Sequence, residues 1–184
     1  MSSQQIEFCI IPKQISNELC TEFRLKQDTI FSQYRDIPPM QIATTCPPKV
    51  FGTVVGDGNC LYRAVSLSLS GTQDNHRKLR EMTATELHLN RRNYFHIDED
   101  EVQGLIDSAL LDGAVGEKAW GEQSHLIALS VALRVQIYLF NSLWTPPLWE
   151  TISSRLKSNC VSVQVHQYIH KLFVHHYILP ILFT

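Results

Sequence analysis

Apolar residues recur along the chain in two rhythms, one helical and one alternating. Over residues 14–35, Ile15, Leu19, Phe23, Ile30 and Tyr34 roughly share a face at helical spacing, with Ser16 or Asn17 placed to cap. Prolines at 38, 39, 47 and 48 predict an extended linker over 37–48. VFGTVV at 50–55 reads as a strand ending in a turn at Gly56 to Gly58, and Leu61, Ala64, Val65 and Leu69 then mark a buried helix. Residues 75–92 predict a charged amphipathic helix, and 101–111 a further helix closed by Gly113. The stretch 124–133 is an apolar helix that runs straight into a strand over 135–140. Val161, Val163 and Val165 alternate with polar residues as a strand does, and 172–178 forms another apolar strand. Helices fill the first two thirds and strands the last third, an order that suggests α+β rather than a regular parallel βαβ array.

Composition narrows the class. A chain of 184 residues with 44% hydrophobic and 18% charged residues reads as one ordinary globular domain with a real core. A net charge of -2 gives no reason to expect nucleic acid as a partner. MSSQQIEFCIIPK has no basic start and too short an apolar run for a secretory signal, and YILPILFT is far too short to span a bilayer, so no membrane partner is expected. Five cysteines (Cys9, Cys20, Cys46, Cys60 and Cys160) are an odd number with no CxxC pair. That favours a reducing, cytoplasmic compartment and argues against a disulfide framework or a structural zinc.

The chemistry concentrates in GDGNCLYRAVS, residues 56–66, where a cysteine follows a glycine turn at the start of a helix. A thiolate is the nucleophile, and a helix amino end favours it with partial positive charge and unpaired N–H groups. Asp57, Gly58 and Asn59 can fold so that their amides face the place where an oxyanion would form. The bland reading is an ordinary turn followed by a buried cysteine. A nucleophile of this kind needs a base from elsewhere in the fold. His76 and His88 lie in a charged helix and His96 in a polar loop, all read as solvated surface, while His125 falls near the start of the helix after Trp120-Gly121. His166 and His170 are four apart, but VSVQVHQYIH alternates like a strand and lacks the Glu of a zinc-protease motif, so no metal site is expected. His175 and His176, near the end of an apolar strand, are the best base candidates, since an imidazole is costly there without a partner.

These blocks resemble the ovarian tumour (OTU) family of cysteine proteases. Gly56-Asp57-Gly58-Asn59-Cys60-Leu61-Tyr62-Arg63-Ala64 is similar to the family's nucleophile motif. Trp120-Gly121 followed by Leu126 to Ser130 and then Ile137-Tyr138 resembles its central helix and strand, and Val174-His175-His176-Tyr177 its C-terminal histidine block. The resemblance implies an α+β, papain-like OTU fold, a central β-sheet flanked by helices with the nucleophile at a helix N-terminus. With the match spanning roughly 50–180, the expected organisation is an N-terminal helix and proline-containing linker over 1–49, packed on an OTU-like catalytic domain over 50–184. The resemblance further implies Cys60 as nucleophile, His176 as general base, His175 facing away, and Asp57 shaping the turn and supporting the catalytic site. No metal or organic cofactor is implied. The implied activity is that of a deubiquitinase, cutting after the C-terminal glycine of ubiquitin through a thioester. The implied partner is ubiquitin, polyubiquitin or a ubiquitin-like modifier. An inactive OTU-fold ubiquitin-binding module and a polyprotein-processing protease are the alternative readings. Two positions depart from the family pattern: Ile178 stands where many relatives carry Asp or Asn to orient the imidazole, and His125 where relatives often have Glu. The site is therefore also readable as a Cys60–His176 dyad with Asp57 supporting it locally. Asp98-Glu99-Asp100-Glu101 reads as a solvated loop or an acidic first helical turn, and otherwise as a guide for the arginines of the ubiquitin tail.

Overall fold

The helix that follows the glycine turn, α2 (Cys60–Ser70), runs through the centre of the core. Leu61, Tyr62, Ala64, Val65 and Leu69 are all buried, so this helix is covered on most of its circumference. It stops at Gly71, whose backbone turns to the left-handed φ of 78°. The computed structural model describes residues 5–8, 11–28, 40–43, 51–91, 99–116, 119–141, 148–152, 162–166 and 178–180.

Four further α-helices lie among the described residues: α1 (Lys13–Glu22), α3 (His76–Leu89), α4 (Glu99–Leu110) and α5 (Gln123–Leu133). One apolar cluster joins Ile11, Leu19, Cys20 and Leu25 to the buried face of α2, to Leu79 of α3 and to Leu126, Leu129 and Leu133 of α5. A second gathers Ala84 and Leu87 of α3, Val102, Leu105, Ile106 and Ala109 of α4, and Ala128 of α5. Helix α5 thus lies between two cores, with Ile127 against both. Its apolar character all round follows from that position.

Helix α1 ends at Glu22, well short of the expected residue 35. Arg24 takes φ 53°, its N–H bonds Thr21 O, and the Leu25 N–H reaches back to Cys20 O at 2.8 Å. This is a Schellman stop with arginine in the place where glycine is usual, and it folds Leu25 into the core. Side chains then sew the segment down: Ser16 Oγ donates to Leu69 O at 2.6 Å, and Asn75 receives the Lys26 N–H at 2.8 Å while donating to Lys26 O at 2.9 Å. Helix α4 begins two residues before the expected 101, so Glu99, Asp100 and Glu101 form its first turn, where carboxylates suit the dipole. Asp98 lies outside the described residues.

The described strands form three small sheets. Strands β1 (Gln5–Phe8) and β2 (Met40–Ala43) pair antiparallel, β2 falling within the stretch expected to be an extended linker. Strand β4 (Gln136–Asn141) lies between β5 (Leu148–Ile152), antiparallel, and β6 (Ser162–His166), parallel. Strand β5 had no alternation to announce it, whereas β4 and β6 fall where expected. Strand β3 (Phe51–Thr53) pairs antiparallel with β7 (Ile178–Pro180), with Thr53 opposite Ile178. The rest of the strand expected over 172–178 lies outside the described residues. Among the described residues, no helix is long and apolar enough to cross a membrane.

His125 joins α5 to α4. Its ring is fully buried; Nδ1 accepts the Glu122 N–H at 2.9 Å, and Nε2 therefore donates to Leu105 O at 3.0 Å. It does the back-bonding half of a capping box, work that a glutamate does elsewhere. Burial pushes its pKa down to about 4, helped by the charge of Arg80 and opposed by the bond to Leu105. An unfolded histidine titrates near 6.5. As pH falls below that value, the unfolded chain takes up a proton that the folded one refuses until about pH 4. Stability is thus expected to decline across that window, by up to roughly 3 kcal/mol at its acid end. His125→Gln, which keeps one acceptor and one donor, should flatten the decline, as read from urea midpoints at pH 7 and pH 5.

Candidate active site

Cys60 is the first residue of α2, half-buried, directly after a turn held from two sides. The Arg63 N–H bonds Asn59 O at 2.9 Å, so the helical ladder starts here and the amino end of α2 lies at the cysteine.

One side of the turn is held by Asp57. Its Oδ1 accepts the Asn59 N–H at 3.1 Å, an Asx turn. Both carboxylate oxygens accept from Arg63, Nε at 3.0 and 3.1 Å and Nη2 at 2.6 Å. Burial would raise the Asp57 pKa, but the hydrogen bonds from Arg63 and Asn59 and the charge of Arg63 outweigh it, holding the carboxyl well below the usual range. Asp57 thus braces the turn from within, through Asn59, and from the first turns of α2, through Arg63.

Asn59 and Gly58 hold the other side. The Asn59 side chain is buried; its Oδ1 accepts from Gly113 N at 2.9 Å and from Arg80 Nε at 2.7 Å, and its Nδ2 donates to Asp112 Oδ1 at 2.9 Å. Gly58 has φ 78°, and a Cβ there would lie 2.1 Å from Gly113 O. Gly113, expected only to close α4, therefore meets the turn backbone to backbone. Gly121 of the Trp-Gly pair has a similar reason: a Cβ there would come within 3.1 Å of the Leu61 side chain. Trp120 itself is exposed.

The histidines sort by environment. His125 is spent on capping, and the half-buried His76 is tied to Gln73 O at 3.0 Å, its pKa lowered chiefly by burial. His88 is exposed. His96, His170, His175 and the expected base His176 lie outside the described residues. Among the described residues, no three His, Cys, Asp or Glu side chains gather as metal ligands would. The reading of 75–92 as a charged helix missed Arg80, which is buried beneath the turn. The available signal was its place on the stripe Arg80, Thr83, Ala84, Leu87, where every residue is buried.

Gly58→Ala should destabilise the fold by at least about 2 kcal/mol, combining left-handed strain with a backbone clash. Gly104→Ala is the matched control: it lies within α4 with nothing within 4 Å of an added Cβ, and should gain roughly 0.5–1 kcal/mol. Urea unfolding of both variants gives the comparison.

Comparison with known proteins identifies the family. A family model described as "OTU-like cysteine protease" matches residues 55–177. "OTU domain-containing protein 1" of Mus musculus is 34% identical over 113 residues, covering 61% of this chain and 21% of that protein. Its Homo sapiens counterpart shows the same identity and length, over 20% of its own chain. This chain therefore matches only about a fifth of the length of those curated relatives. The solved structure titled "Structure of OTUD1 OTU domain" aligns with a TM-score of 0.53 at 28% identity, over 70% of this chain and 83% of that one. With the family model matching most of the chain, turn and helix included, this protein belongs to the OTU-like cysteine protease family.

Proposed function

We propose that this chain is a cysteine-dependent deubiquitinase that hydrolyses the isopeptide or peptide bond after the C-terminal glycine of ubiquitin or a ubiquitin-like modifier. The observation that carries the reading is a cysteine at the first position of a buried helix, after a braced turn, inside the segment that matches the OTU family. Cys60 is the nucleophile and His176 the general base. Strand β7 supports that pairing, because Ile178, two residues after His176, lies opposite Thr53 on the strand that leads into the turn. The same sheet and the β5–β4–β6 sheet form, in this reading, one central papain-like sheet, since β6 also runs beside β7. Residues 50–184 are the catalytic domain, with 1–49 packed on it, and the reducing cytoplasm suits a working thiol.

The chemistry runs as acyl transfer. The Cys60 thiolate attacks the glycine carbonyl, and the negative charge on oxygen faces the amino end of α2. His176 gives its proton to the departing lysine nitrogen, leaving a thioester on Cys60. A water molecule, losing its proton to His176, attacks the thioester; the glycine carboxylate leaves and the thiol is restored. Asp57 acts through the turn and Arg63. The first turn of α4, with Glu99, Asp100 and Glu101, is read as helix capping by charge rather than as a guide for the ubiquitin tail.

The test is incubation with ubiquitin carrying a C-terminal electrophile, followed by peptide mass spectrometry. The expected result is an adduct on Cys60, lost in Cys60→Ala together with all cleavage. His176→Ala should be inactive, while His175→Ala keeps most activity. Asp57→Ala should cost roughly 10- to 100-fold in rate through a displaced thiol, more than Ile178→Ala. Binding of ubiquitin without an adduct would make the protein an inactive binding module instead.

A further inference from the structure

Arg80 is 4% exposed, and its guanidinium spreads over four elements of the fold. Nε donates to Asn59 Oδ1 at 2.7 Å; Nη2 donates to Gly58 O at 3.1 Å and to Ala119 O at 2.7 Å; Nη1 donates to Ser108 O at 3.1 Å. Its Cζ lies 4.4 Å from the centre of the Tyr62 ring on α2. Two of these bonds end on the two residues immediately before Cys60.

Its acceptors, among the described residues, are three backbone carbonyls and a side-chain amide, all neutral. This contrasts with Arg63, whose charge Asp57 cancels at 2.6 Å. Burying a guanidinium among neutral partners is costly, and a neutral amide could have supplied part of the same bonding. What only a cation supplies is attraction for a negative charge. Asp112, the Cys60 thiolate and Asp57 all lie within Coulombic reach of Arg80. At low effective dielectric such an attraction acts over several ångströms.

We propose that Arg80 is a positioning residue for Cys60, a buried guanidinium that pins Gly58 and Asn59 beneath the thiol and holds a fixed positive charge behind the forming anion. The proposal rests on Cys60 being the nucleophile, and it assigns the turn's geometry and its field to one side chain on α3. Lysine cannot replace it, because an ammonium has the charge but not the planar fork that reaches Asn59, Gly58, Ala119 and Ser108 together.

Two readouts on the full chain separate the two parts of the role. The first is the pH profile of Cys60 alkylation by iodoacetamide, followed by peptide mass spectrometry, which requires no ubiquitin. The second is kcat and KM on a fluorogenic ubiquitin substrate. Arg80→Gln should shift the alkylation midpoint to higher pH and lower kcat about a hundredfold, with KM within about threefold. Arg80→Lys should leave the midpoint near that of the parent while kcat still falls at least about tenfold. Circular dichroism checks the fold of each; if the Gln variant fails to fold, the Lys variant decides. An Arg80→Lys variant with kcat within about threefold of the parent overturns the proposal, as does an unchanged alkylation midpoint in a folded Arg80→Gln. Loss of fold in Arg80→Lys assigns the residue to stability alone and overturns it too. A parent that alkylates normally but does not turn over ubiquitin refutes the proposed activity and leaves the alkylation arm to judge Arg80.

Discussion

Gly58 and Gly113 touch backbone to backbone, and where they touch decides where Cys60 can sit. An added Cβ on either would lie 2.1 Å from a backbone atom of the other, so the approach admits no side chain on the facing side. Such an approach shuts polar main chain away from water, and those groups must find partners. The Asn59 amide answers that demand, bonding Gly113 and Asp112 beyond α4 and accepting from Arg80 on α3. The start of α2 is thereby fastened to the end of α4. Helix α4 is in turn held by the cluster it shares with α3 and α5, through Leu87, Val102, Leu105 and Ile106. The stiffness of the thiol's surroundings is set by apolar packing on the far side of these helices. That is why a turn so short can be rigid.

What the sequence displayed was whatever a local signal determines. A glycine turn followed by apolar residues at helical spacing places a cysteine at a helix start without tertiary knowledge, and Cys60 is there. The alternation at Val161, Val163 and Val165 likewise reports a strand by itself. The helix α1 ran too long in the reading because its stop uses Arg24 in a left-handed conformation, and no glycine marks it. Strands β1, β2 and β5 are defined by partners rather than by pattern, so their short stretches carried no signal of their own. Arg63, six residues after Asp57, carries no turn signal of its own, so its bonds to both carboxylate oxygens were not legible in the sequence. Arg80 looked like part of a solvated face because charge is a good guide to exposure, except where backbone carbonyls converge on it. His125 stood out as a departure from the family pattern; the capping bond explains it, since an imidazole nitrogen accepts a backbone N–H as a carboxylate does.

The pairing of β3 with β7 has a consequence for the birth of the molecule. Strand β3 leads into the cysteine turn, yet its partner at Ile178–Pro180 is separated from it in the chain by helices α2 to α5, which carry the cores, and by strands β4 to β6. On a ribosome, α2 to α5 emerge first and can bury their shared apolar faces by contacts of short sequence separation. The edge of β3 has to wait until β7 leaves the exit tunnel. A nascent chain can therefore be substantially folded while the strand that leads into the cysteine turn still lacks its partner. Synthesis itself thus sets an order on the surroundings of Cys60, the helices closing first and the sheet last.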